Sequence, residues 1–402
     1  MSIDLIVIGA GPAGTAAAIT ASRLGRSVTV VDRATFPRDK ICGDGLTAGA
    51  LRQLDWLGLQ PDSVASWKSV ADAHIQGPSG ARIHLPLPRT GGQFTAIATR
   101  LDLDAALVEL ARKHGVTIVE GAEVTSVIDA GTDEVQVETT KGSLSAPWVI
   151  AADGMWSPTR KLLGLAEPGY RGEWHAFRQY VTNVSDRAAS EIYVTFEPDF
   201  LPGYFWSFPL PDGRANIGFG ISREERHTVR DMKWLWPDLL ARPHIREWLG
   251  PDAEFEGSHR AWPIPCRIGE LSTGAGRVMF VGDAAAACDV LTGEGIGQAL
   301  LSGRLAAEQA NSNWGEPPNV QRSYRRAIDR GLVADHKMSH FLTRAVRHRK
   351  GVRIALWLCG LTPWTRRNFA RWLFEDYPRA LLFTPKRWHR QMFTGPGAYR
   401  SG

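Results

Sequence analysis

Three glycines and one acid near the start of the chain have the spacing a dinucleotide needs. Gly9, Gly11 and Gly14 form a G-x-G-x-x-G run, and Asp32 follows 18 residues after Gly14. Gly9 permits a tight turn, Gly11 lets the backbone approach a pyrophosphate, and Gly14 lets a helix pack closely on a strand. Pro12 and Ala13 open that helix, whose free N–H groups and partial positive charge suit phosphate. Asp32 stands where a carboxylate can accept hydrogen bonds from a ribose diol, with Arg33 beside it in the same set. A Gly-rich structural turn is the other reading of the glycines alone.

These residues work only if particular elements hold them. The apolar run Ile3–Ile8 reads as a buried strand, the Ala-rich stretch after Pro12 as a helix, and Ser27–Val31 as a second strand. Two further apolar strands end in an acid paired with glycine. One is Trp148–Ala152 running into Asp153-Gly154, and the other is Val278–Val281 running into Gly282-Asp283. A plain NAD domain does not need them. Their combination with the first motif resembles the flavoprotein hydroxylase superfamily, which implies FAD. By that resemblance Asp283 caps the ribityl or ribose side, Asp153 lies near the pyrophosphate, and Arg100, in T-R-L-D, contacts the cofactor. Gly293, Gly295 and Ile296 sit in a Gly-rich loop before a helix expected from about Gln298. Exposed N–H groups there suit negative charge on a reduced flavin. No second G-x-G-x-x-G accompanies a strand and helix. NAD(P)H would therefore bind transiently, and reduced ferredoxin is the other electron donor.

Three more segments resemble the geranylgeranyl reductase family, with the bacterial menaquinone-tail reductases nearest. They are Phe36–Leu46, which contains Cys42-Gly43-Asp44-Gly45; Leu201–Pro209 followed by Asn216–Gly220; and Leu291–Ile296. The resemblance implies hydride transfer from reduced FAD to an isoprenoid double bond of a lipid-like substrate. It makes Cys42 a flavin-side residue for proton relay or substrate positioning, with Gly43 beside it. Tyr204, Trp206 and Phe208 alternate along a strand, so all three face one side. Aromatic faces suit a polyene that offers nothing to hydrogen-bond. Tyr204 and Trp206 join Cys42 as catalytic candidates, and a buried aromatic core is the plain alternative. Two departures stand out. Leu201 replaces the first proline of the wall motif, and Asp289-Val290 replaces Asn-Pro before the Gly-rich loop. Flavin monooxygenases or epoxidases acting on terpenoid or aromatic substrates share the FAD elements and form the alternative, with halogenases further away.

Composition is ordinary for a globular protein: 402 residues, 44% hydrophobic, 22% charged, net charge +5. Cys42, Cys266, Cys288 and Cys359 have no metal-ligand spacing, so no metal site is expected, and a reduced cytoplasmic setting is the simplest reading. The first strand begins too early for a signal peptide, and no apolar run is long enough to span a bilayer. Charge is uneven. From Arg344 to Arg390 there are 12 Lys or Arg against two acids, together with four Trp. Such helices suit the inner face of a membrane as a peripheral surface, or else form a solvated basic face. No nucleic-acid motif accompanies the charge.

The expected fold is α/β, with a Rossmann-like FAD-binding domain of the glutathione-reductase type and hydroxylase superfamily. An antiparallel β-sheet substrate domain is inserted, and a C-terminal helical region follows. The FAD-binding part takes 1–68, 96–165 and 270–310, the substrate sheet 69–95 and 166–269, and the basic, Trp-rich region 311–402. Residues 100–114 read as an amphipathic helix, 123–151 as a β-meander ending in Pro147–Ala151, and helices fill most of the chain from Gly297 onward. A hydrophobic substrate and a redox partner protein complete the expected partners.

Overall fold

A computed structural model describes residues 2–129, 131, 133–223, 227–388 and 393–400. The apolar run at the start forms the strand Leu5–Ile8 in a six-stranded sheet. Its neighbours in spatial order are Gly274–Ala275, Val278–Phe280 and Trp148–Ala151 on one side, then Val28–Val31 and Thr117–Val119 on the other. All pairs are parallel except the Gly274–Ala275 edge. The strands Leu5–Ile8, Val28–Val31 and Trp148–Ala151 are buried at every position, the pattern of a sheet covered on both faces.

Four helices lie in the first part of the chain: α1 (Pro12–Arg23), α2 (Ala48–Leu57), α3 (Arg100–Lys113) and the short α4 (Pro158–Leu162). Two more, α5 (Met232–Ala241) and α6 (Pro243–Leu249), lie before the last strand of the second sheet, Glu254–Ile264, and the sequence reading anticipates neither. The last five are α7 (Ile296–Ser312), α8 (Pro317–Ile328), α9 (Ala334–Val346), α10 (Arg349–Gly360) and α11 (Pro363–Leu373). Helix α7 packs against α1 at close range. A Cβ on Gly303 would lie 2.0 Å from the Ala13 carbonyl oxygen, so only glycine fits there.

The second sheet has seven strands in the order Glu254–Ile264, Trp174–Thr182, Ala215–Ser222, Tyr204–Pro209, Ile192–Thr195, Asp72–Gln76 and Arg82–Pro86. It is antiparallel apart from the parallel pairing of Ile192–Thr195 with Asp72–Gln76. Strand alternation divides its side chains. Tyr193, Phe205, Ile217 and Phe219 join Met232 and Trp236 of α5 in one core. Tyr204, Trp206 and Phe208 point to the opposite face, as their spacing predicts.

Two expectations need correction. The meander ends at Ala146, with strands Val124–Asp129, Val135–Thr139 and Gly142–Ala146. Trp148–Ala151 belongs to the parallel sheet instead, because four consecutive buried apolar residues need cover on both faces. Helix α7 begins at Ile296 rather than Gln298. Helices fill most of the chain from Gly297, as expected; the last long one ends at Leu373, and beyond it the described chain has the short turns Leu381–Phe383 and Pro385–Arg387. This last segment folds back on the first hundred residues: Ala48 N–H donates to the Phe374 carbonyl at 2.8 Å, and Ala398 bridges to Gln93. Arg390, part of the basic count, lies outside the described residues.

Candidate active site

The Leu5–Ile8 strand ends in Gly9, whose φ is +102° and whose Cβ would sit 2.4 Å from the Ala152 carbonyl oxygen. A Cβ on Gly14 would sit 1.8 Å from the Gly9 carbonyl oxygen. Gly14 therefore lies under the turn and does not line the cavity, unlike the other cofactor candidates. Gly11 is the open position. A Cβ there would lie 3.6 Å from Arg38 Nη2 and 3.9 Å from Arg100 Nη2. Both guanidinium groups are aimed by the buried Asp104. Arg100 donates to it from Nε and Nη2 at 2.8 and 2.7 Å, and Arg38 Nη1 approaches it at 2.7 Å. Two cations near the start of α1 make a surface that suits a diphosphate. Asp32 accepts from Ala10 N–H at 2.7 Å and Ala34 N–H at 2.8 Å, which fastens the turn. Its remaining lone pairs are available to a ribose.

Asp153 is held by Ser157 Oγ at 2.7 Å and Thr159 N–H at 2.8 Å, and burial raises its pKa. Gly282 has φ +57° and opens a single turn. In that turn Asp283 accepts from the Cys288 thiol at 3.3 Å. The departure at Asp289 has a structural account. Its Oδ1 accepts from Leu291 N–H at 3.1 Å and from Thr292 N–H and Oγ1 at 2.9 Å each. Its Oδ2 accepts from Ser339 of α9. One buried carboxylate thus shapes the Gly-rich loop from within. Tyr204 donates its hydroxyl to the Thr292 carbonyl and ties the aromatic strand to the same loop.

The Cys42–Gly45 turn is fixed by groups the sequence reading passes over. Asp44, at φ +63° and fully buried, accepts from Tyr180 Oη and Asn216 Nδ2 at 2.8 Å each, and from Arg100 N–H at 3.2 Å. Burial pushes its carboxyl up to about 6. Asn216 also donates to the Cys42 carbonyl at 2.9 Å and accepts from Trp206 Nε1 at 3.1 Å. Gly43 leaves room for the rings, since a Cβ there would be 3.4 Å from Phe208 and 3.5 Å from Trp206 Nε1. Burial pushes the Cys42 thiol up to about 11, so it remains S–H at neutral pH. Asp44 and Asn216 fall inside the segments that carry the family resemblance, which is the signal that could have found them.

A second group was missed. Glu294, in the Gly-rich loop, faces the cavity and accepts from Gly297 N–H at 2.8 Å. Burial, reinforced by the neighbouring Glu375, pushes its carboxyl up to about 8. Glu375 sits just past α11 at φ +58°, accepting from Thr47 Oγ1 at 3.1 Å and Gln298 Nε2 at 2.9 Å. Its pKa is raised as well, chiefly by burial. Glu294 is visible in its motif, whereas nothing local marks Glu375.

One cavity of about 750 Å³ connects these parts. Gly9, Gly11, Pro12, Ala13, Asp32, Arg33 and Arg100 line one end, and Asp153, Gly282, Asp283, Gly293, Gly295 and Ile296 line its course. Cys42, Gly43, Tyr204, Trp206 and Phe208 also border it, and the inner faces of α9, α10 and α11 form the far wall. The open Gly11, the two cations and the two carboxylates Asp32 and Asp283 suit the phosphates and polyols of an extended FAD.

Known proteins agree with that chemistry. A family model for an FAD binding domain matches residues 2–301. A menaquinone reductase of Mycolicibacterium smegmatis is 35% identical over 333 residues, 77% of this chain and 76% of the relative. Digeranylgeranylglycerophospholipid reductase 2 of Methanopyrus kandleri is 30% identical over 317 residues, 77% of each chain. A geranylgeranyl bacteriochlorophyll reductase-like protein of Thermoplasma acidophilum superposes with a TM-score of 0.79 at 22% identity, over 96% of this chain and 99% of that one. The halogenase PltM, crystallised with phloroglucinol and FAD, gives 0.71 at 18% identity, over 99% and 88%. At these identities the two structures share the fold.

Proposed function

The chain belongs to the FAD binding domain family and, within it, to the geranylgeranyl reductases, and from that premise we propose that it saturates carbon–carbon double bonds in the prenyl chain of a lipid or quinone. It is an FAD-dependent oxidoreductase. We assign the parallel sheet and its helices (1–68, 96–165 and 270–310) to FAD, the second sheet (69–95 and 166–269) to substrate, and 311–402 to closing the cavity. Gly11, Asp32, Arg38 and Arg100 would hold the nucleotide half, and Asp283 with the Gly293–Ile296 loop the flavin half. FAD bound there in its reduced form would supply the hydride for one alkene carbon.

The neighbouring carbon needs a proton, and the chain must provide it. Glu294 faces the cavity, and desolvation with the neighbouring Glu375 raises its carboxyl well above the usual carboxylate range. A donor whose pKa lies near the working pH transfers most effectively, which favours Glu294 over Cys42. Cys42 then positions the substrate. Tyr204 and Trp206 have committed their polar atoms to Thr292 and Asn216. They therefore offer ring faces, which stabilise positive charge developing on a protonated alkene.

The observation that carries this reading is the continuity of the cavity from the G-x-G turn to an apolar wall. Ile192, Val194, Val352, Leu356, Phe369 and Leu373 line that wall. Burying a methylene contributes about 0.8 kcal/mol, so a few isoprene units bind without any hydrogen bond. A substrate of this kind resides in a bilayer, so the reading includes peripheral contact with a membrane. The test is anaerobic incubation of dithionite-reduced holoenzyme with a lipid extract, followed by mass spectrometry. Dithionite replaces the natural donor, whether NAD(P)H or ferredoxin. A product heavier by two hydrogens is expected. A product heavier by one oxygen, formed only in air, would overturn the proposal in favour of oxygenation.

A further inference from the structure

Helices α9, α10 and α11 have apolar residues on both sides. Their inner faces contribute Leu342, Val346, Val352, Leu356, Phe369 and Leu373 to the cavity. On α10 the buried positions Val352, Leu356 and Cys359 recur at helical spacing and already anchor the helix to the fold. Its other side carries a second stripe at the same spacing. Ile354, Trp357, Leu358 and Leu361 are 48 to 65% exposed. Phe341 on α9 and Trp364 at the start of α11 are also exposed. Isolated surface apolar residues need no explanation, but a stripe on one helix with aromatic neighbours marks an interaction surface.

Charge along α9–α11 is almost all of one sign; Asp335, in the first turn of α9, is the exception and pairs with Arg387. From His336 to Phe374 the chain has nine Lys or Arg and no Asp or Glu. Lys337, Arg344, Arg349, Lys350, Arg353 and Arg367 are exposed. None of these six makes an ion pair with an acid among the described residues. No helix among the described residues is long and apolar enough to cross a membrane. A second copy of the chain fits poorly here, because pairing would bring two strongly basic faces together. Exposed Trp beside unpaired Arg and Lys complements a surface that is apolar inside and anionic at its rim.

We propose that the outer face of α9–α11 docks on an anionic phospholipid bilayer, so that the helices walling the cavity are themselves the membrane contact. A prenyl lipid then moves from the acyl region into the cavity beside these helices without crossing bulk water. The purpose of this contact rests on the prenyl-lipid reading, but its existence does not.

The test sediments FAD-loaded protein with vesicles of phosphatidylglycerol and phosphatidylcholine, and with vesicles of phosphatidylcholine alone. Binding to the mixed vesicles is expected to be at least tenfold tighter and to weaken with salt. The triple variant Ile354→Ser/Trp357→Ser/Leu361→Ser should lose at least tenfold in binding, with flavin absorbance and helical circular dichroism unchanged. The variant Arg349→Gln/Lys350→Gln/Arg353→Gln should lose the preference for phosphatidylglycerol. Turnover of a short, water-dispersed prenyl alcohol by the dithionite-reduced enzyme should stay at the native level in both. Native protein that ignores mixed vesicles would overturn the docking proposal even if it reduces the alcohol. Sedimentation equilibrium showing a dimer that the triple variant dissociates, without vesicle binding, would overturn it too, as would salt-sensitive binding of duplex DNA in place of vesicles. Vesicle binding without reduction of any prenyl substrate would instead count against the reductase reading and leave docking supported.

Discussion

At Glu294 a carboxyl group has what protonating carbon requires: it faces the cavity, and desolvation together with the neighbouring Glu375 raises its pKa well above the usual carboxylate range. Oxidation of reduced flavin by substrate should therefore slow as pH rises through about 8. Glu294→Gln should lower that rate by roughly 100-fold or more and abolish the alkaline limb, with FAD affinity unchanged. A stopped-flow pH profile identical to the native one would remove Glu294 from the mechanism. Stability should follow the same proton. The folded carboxyl binds protons more tightly than its ordinary value of 4.5, so its contribution is full below that pH and is lost as pH rises through about 8. Native Tm should fall across that window, and Glu294→Gln should flatten the fall. The role proposed for Asp283 is to hold the cofactor. Asp283→Ala should cost about 1.5–3 kcal/mol of FAD binding, the worth of a charged hydrogen bond, and an unchanged FAD titration would sink that role. The places of Gly9, Asp32 and Asp283 on the cavity were legible because each is local, a glycine or acid at the end of a buried strand. Asp44, Asn216 and Glu375 were not. Their partners lie on other elements, and no periodicity reports a contact between Thr47 and Glu375.

The element that most repays attention is the loop between Asp289 and α7. Its shape comes from one side chain that accepts four hydrogen bonds, three from its own loop and one from α9. Asp289→Ala would leave the N–H groups of Leu291 and Thr292 without that acceptor. Each unsatisfied group costs about 1–3 kcal/mol, so urea denaturation should show a clear loss. Asp289→Asn keeps an acceptor oxygen and should lose much less. Equal stability of the two variants would show that the loop does not depend on this carboxylate. Element types were readable wherever one face is buried, as in the alternation of Tyr204–Pro209 and the helix from Arg100. Sheet membership was not. Trp148–Ala151 follows a meander in the chain, yet it pairs with Leu5–Ile8 and Val278–Phe280. A run of apolar residues says that a strand is covered, not which strand lies beside it.

Over the whole molecule, two sheets and three late helices enclose a single cavity that no one segment could form. Its depth beyond the aromatic wall should set the length of chain accepted. Ala355 lines the far wall on α10, and Ala355→Trp should shorten the space there. KM should rise for a long prenyl substrate and stay near the native value for a short one, with FAD affinity intact. Parallel loss for both lengths would mean that the wall does not measure the substrate. The same arrangement has a consequence for biosynthesis. The backbone contact between Ala48 and Phe374, and the reach of Glu375 to Thr47 and Gln298, join the beginning of the chain to residues made near its end. Until residues 374 and 375 have been made, the nascent protein can assemble its nucleotide turn but lacks one side of its oily chamber. Flavin loading can thus precede closure.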